Sequence, residues 1–80
     1  MNKAMARHLL RTNNWDTSEI LLAERIIRHD GTRHKASILP TLKTFVSRQA
    51  ESEQEAWHRL IAMLEKDEKL VDALLALIAL

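Results

Sequence analysis

The chain has 80 residues, 46% of them apolar and 29% charged, with a net charge of +1 and no cysteine. That composition is globular, and it excludes disulfides and thiolate metal sites. A chain this short buries only about 60–65% of the surface its unfolded form exposes, so it calls for a staple, and a second subunit is the one left open.

One glycine, one proline and no tyrosine leave little material for hairpins, while Ala, Leu, Glu, Arg and Lys favour helix. The expected fold is all-α: a small bundle of four to five short helices in one domain, 1–80. The expected helices lie at about 3–12, 17–29, 38–48, 53–66 and 68–79.

The first pattern, Ala4, Met5, His8 and Leu9, stops at Asn13-Asn14, a pair that favours breaks. Asp16-Thr17-Ser18-Glu19 then reads as a capping box, with Trp15 and Ile20 placed to staple across it. This gives Trp15 a structural role. Ile20, Leu22, Ala23, Ile26 and Ile27 carry the buried stripe of the second helix, and Asp30-Gly31 ends it.

Proline is tolerated in a first turn, so Ser37-Ile38-Leu39-Pro40 is expected to open the third helix. Leu42, Phe45 and Val46 form its buried face, and Thr41, Lys43, Thr44, Ser47 and Arg48 its polar one. Ser52-Glu53-Gln54-Glu55 reads as a second capping box, followed by Trp57, Leu60, Ile61 and Leu64 at helical spacing. The run Glu65-Lys66-Asp67-Glu68-Lys69 interrupts that stripe, and a break or bend is expected near Asp67 rather than one long helix.

After Asp72 no polar residue follows, and the run Ala73–Leu80 is apolar for eight residues. A helix apolar on every face must be covered on every face. Three other short helices are expected to be too few to wrap it within one chain. Leu70, Val71, Leu74, Leu75, Leu77 and Ile78 are therefore the candidate oligomer or partner interface, and self-association is expected to complete the bundle. Spanning a bilayer takes about 20 apolar residues. Neither this run nor Met1–His8 supplies them, so a cytoplasmic protein without membrane contact is expected.

Charge is divided unevenly. Residues 1–48 hold nine Lys/Arg against four Asp/Glu, a net +5, and residues 49–80 hold three against seven, a net −4. Arg25, Arg28, Arg33, Lys35, Lys43 and Arg48 are the candidate basic surface. Such a surface can meet phosphates or an acidic protein, or offset the C-terminal dipole of the second helix. A helix-turn-helix joins its helices by three or four residues, whereas Asp30–Ala36 is a connector of seven.

No catalytic, cofactor or metal residues stand out. His29 and His34 are five apart and straddle Gly31, the only glycine, so neither a two-histidine helix face nor a phosphate-cradling loop exists. The order of helix, Gly-containing polar loop, Ile38-Leu39-x-x-Leu42-x-x-Phe45 and Leu60-Ile61-x-x-Leu64 resembles the small enterobacterial biofilm and acid-resistance regulators, over about residues 17–65. The resemblance implies helical dimers acting in signalling or on DNA. It carries no specific motif, and no family is assigned on it.

The expected function is that of a small non-enzymatic regulatory, adaptor or inhibitor protein. It acts by protein–protein interaction as a homo-oligomer, with no cofactor and no small-molecule substrate. The alternative is a nucleic-acid-binding regulator using the basic surface of residues 25–48.

Overall fold

The computed structural model describes residues 1–79, and among these it contains five helices and no strand. Helix α1, Lys3–Thr12, opens on Asn2, whose side chain accepts from the Met5 N–H at 2.8 Å. It closes at the asparagine pair. Asn14 takes φ 67°, the Asn14 N–H reaches the Arg11 carbonyl, and the Trp15 N–H reaches the Leu10 carbonyl, each at 3.0 Å. This is a Schellman turn, with asparagine supplying the left-handed residue and Trp15 packed where the motif places its hydrophobic contact.

Helix α2, Thr17–His29, begins with the expected capping box. Asp16 accepts from the Glu19 N–H at 2.7 Å, and the Glu19 carboxylate accepts from the Asp16 N–H at 2.8 Å. Trp15 and Ile20 are both buried, as a staple requires. The helix ends in a second Schellman turn: Gly31 at φ 72° donates to Arg28, and Thr32 donates to Ile27.

Helix α3, Lys35–Ser47, starts earlier than the proline suggests, after extended His34, and places Pro40 inside the helix. A proline there cannot donate to the Ala36 carbonyl.

Helix α4, Glu51–Lys66, also begins early, and here the expected cap is misplaced. Its N-cap is Ala50, whose methyl group cannot accept a hydrogen bond, and Ser52 is the second residue of the helix. Glu51 and Glu53 in the first turn already complement the helix dipole. The Gln54 amide folds back to the Gln49 carbonyl at 2.9 Å.

The charged run is a corner, as expected. Asp67 ends α4 and caps α5, Glu68–Ile78, accepting from the Lys69 N–H at 3.0 Å. The corner turns α5 back into the bundle, where it packs against all four other helices. This overturns the expectation that one chain cannot wrap the apolar helix. Leu70, Val71, Leu74 and Leu77 are buried in the chain's own core. Each of the four surrounding helices covers one sector, and α1, the shortest, lies most extensively along it. Leu75 and Ile78 are half-buried, and Leu80 lies outside the described residues.

The remaining core is continuous with α5. Trp57 meets Trp15 edge to face, with centroids 6.3 Å apart at 85°, and meets Phe45 at 6.4 Å and 74°. The three aromatic residues therefore tie the start of α2 and the end of α3 to α4.

Candidate functional site

The residues expected to form one basic surface fall into three groups. The two lysines are engaged within the fold. Lys35 reaches to α5, with its ammonium 2.6 Å from Asp72 and 2.8 Å from Glu68. Hydrogen bonds to Asp72 first and Glu68 second hold its pKa above the ordinary lysine value. Lys43 pairs with Glu65 on α4 at 3.4 Å.

Arg28 and Arg33 lie at the C-terminal end of α5. Arg28 Nη2 donates to the Leu77 carbonyl at 2.8 Å, with Glu24 3.9 Å away. It therefore satisfies a terminal carbonyl and meets the negative dipole end of α5, although its sequence position pointed to the dipole of α2. Beside it, Arg33 shares a depression with Leu75 and Ile78. The two half-buried α5 candidates thus meet two of the basic ones.

Arg25 and Arg48 form the third group. Both are exposed, and neither joins an ion pair among the described residues. They line a groove of about 470 Å³ between α2 and α3, a volume ordinary for a binding site. Leu22, Ile26, Pro40 and Phe45 supply its apolar surface, and Arg25, His29, Thr41, Thr44 and Arg48 its polar rim. At one end Asp30 accepts from the Thr32 and Thr41 hydroxyls, each at 3.1 Å, and the two hydroxyls lie 3.0 Å apart. That network fixes the α2–α3 connection. It also occupies Asp30, the one acid in the lining.

Sequence reading found the arginines of this site but placed Leu22 and Phe45 in buried stripes. Both are half-buried, with part of each side chain facing the groove. The available signal was Leu21-Leu22. Adjacent residues on a helix point about 100° apart, and Ala23, Ile26 and Ile27 already fill the inward face. At least one of the two leucines therefore had to lie outside it, and Leu21 is 51% exposed.

Among the described residues no group of His, Asp or Glu side chains is arranged to hold a metal ion, and no helix is long and apolar enough to cross a membrane. The sequence and fold were compared with family models, curated proteins and solved structures, and none matches.

Proposed function

We propose that the chain is a small non-enzymatic regulatory or adaptor protein that acts by binding another protein, with the α2–α3 groove as its binding surface. The observation that supports this reading is the mixture in one concavity of an apolar floor and two arginines with no ion-pair partner among the described residues. Interfaces are anchored by apolar and aromatic contacts with arginine among the enriched residues, and Leu22, Phe45, Arg25 and Arg48 supply both.

The alternative reading, nucleic-acid binding, rests on Arg25, Arg28, Arg33 and Arg48 all being exposed. It is weakened by Lys35 and Lys43, which are paired with acids, and by an apolar floor that phosphates do not use.

The test uses 16-residue random peptides displayed on phage, selected on the immobilised protein and then measured in solution. Thr44→Trp places an indole in the groove without changing its charge. Selected peptides should bind wild type at least about tenfold better than Thr44→Trp, and a 20-base-pair duplex should show no binding below about 100 µM at physiological salt. Peptide binding indifferent to Thr44→Trp, or tight duplex binding with a steep salt slope, would overturn the proposal.

A further inference from the structure

We infer that the groove takes an acidic segment of a different protein, one that carries large apolar side chains between its carboxylates; the inference rests on the groove being the binding surface.

The argument begins with charge. Arg25 stands on the α2 rim and Arg48 on the α3 rim, so a segment lying along the groove has a cation on each side. Asp30 at the end of the groove has its Oδ2 held by two threonine hydroxyls. An occupant with carboxylates on both flanks meets favourable potential beside Arg25 and Arg48, away from Asp30, and a basic one meets repulsion there. The guanidinium fork adds directional pairing with carboxylates. Between the rims, Leu22 and Phe45 offer an apolar surface that a purely ionic partner leaves uncovered.

The second step asks whether this chain could fill its own groove from a second copy. Among the described residues, the exposed large apolar side chains are Met1, Met5 and Leu21. Met1 and Met5 neighbour Lys3 and Arg7 along the chain, and Leu21 shares a depression with Arg25, Arg28 and Glu24, where Glu24 pairs with Arg28 and the balance stays positive. Each carries the same sign of charge as the groove. The unpaired acids Glu51, Glu53 and Glu55 are exposed on α4, but Trp57, Leu60, Ile61 and Leu64 of that helix are all buried. Acids do meet apolar side chains at Glu65 and Glu68 beside Leu39, and at Glu53 beside Leu22, but there they line depressions of the surface and form no projecting segment. The combination that the groove fits is supplied by another protein.

The experiment extends the peptide selection to a charge-reversed protein, Arg25→Glu with Arg48→Glu. Both sites are exposed, so the variant should keep the wild-type circular dichroism and a cooperative melt. Wild type should enrich peptides that are net acidic and contain Leu, Phe or Trp. The reversed variant should lose about tenfold or more in affinity for them, chiefly in association rate, and that rate should fall with added salt for wild type only. Peptides that require an open groove, as judged by Thr44→Trp, but show no acidic bias would overturn this inference and leave the groove as a protein-binding surface. Peptides indifferent to both variants, or no enrichment at all, would overturn the two together. Concentration-dependent self-association of wild type that the charge reversal abolishes would assign the groove to a second copy and overturn the inference as well.

Discussion

Helices α2 and α5 have similar lengths and nearly opposite compositions. Beyond Asp72 α5 is apolar on all sides, and α2 carries charges on its outer face. Taken alone, α5 looks like the sticky element and α2 like an ordinary surface helix. In the fold, α5 is the central helix and α2 forms one wall of the open groove. Apolar content measures how much of a helix must be covered, and it does not say by what. When a helix sits at the axis of a small bundle, its neighbours can cover every sector, and the surface available to partners is left on the helices at the rim.

The largest expected effect tests that placement directly. Leu74 is fully buried and its neighbour Leu75 is half-buried. Leu74→Ala should cost about 2–5 kcal/mol in urea unfolding. That is a large share of the roughly 4–12 kcal/mol that a chain of 80 residues commands. Leu75→Ala should cost less than half as much, without a change in oligomeric state by sedimentation. Equal costs, or a dimer that only Leu75→Ala dissociates, would return α5 to the role its composition suggests.

The next effect separates the two expected capping boxes. Asp16→Ala removes the acceptor for the Glu19 N–H and should lower the melting midpoint by a few degrees. Ser52→Ala should leave it nearly unchanged, because Ser52 sits inside α4 and caps nothing. The Asp16 carboxyl is also held below its ordinary pKa, chiefly by the Ser18 hydroxyl and then by the Glu19 backbone N–H. A lowered pKa stabilises the fold above the unfolded value of 3.8 and loses that contribution as the pH falls through the folded one. The difference between wild type and Asp16→Ala should therefore shrink in acid. A constant gap down to pH 2 would place the effect elsewhere.

These cases show why some features were legible and others were not. The α1 and α2 boundaries follow from side chains that act on their own backbone: Asn14, Asp16, Glu19 and Gly31 make contacts within a few residues. The same local rule failed at Ser52 because Ala50 became extended first, and a cap depends on where the chain turns as much as on which residue is available. The break at Asp67 was visible as a lapse in the apolar stripe. Its consequence, α5 returning into the bundle, was not, because it depends on contacts with every other helix. The basic residues were all identifiable, but their fates differ by which acid or carbonyl lies opposite. Arg28 meets Leu77, 49 positions away, and no local pattern encodes that meeting.

The smallest expected effect lies where the basic region and α5 touch. Lys35 belongs by sequence to the basic half, but its ammonium is held between Glu68 and Asp72 of α5. If it serves the fold, its replacement should loosen α5 against α3 and leave groove binding unchanged. If it serves a partner, the reverse should hold. The pair is partly exposed, with the Lys35 side chain at 35% and those of Glu68 and Asp72 at 79% and 44%, so solvent and salt screen it and the effect on stability is small. Its direction is set by linkage. The folded pKa is raised above the ordinary 10.5, so the contribution is present in full below that value and is lost as pH climbs through the higher folded one. Wild type should therefore melt slightly above Lys35→Met at pH 7 in low salt. The gap should close both with added salt and as the pH climbs above 10.5, while peptide affinity at the groove stays the same. Parallel melting curves across that range, together with weaker peptide binding, would move Lys35 from the structural side of the comparison to the binding side.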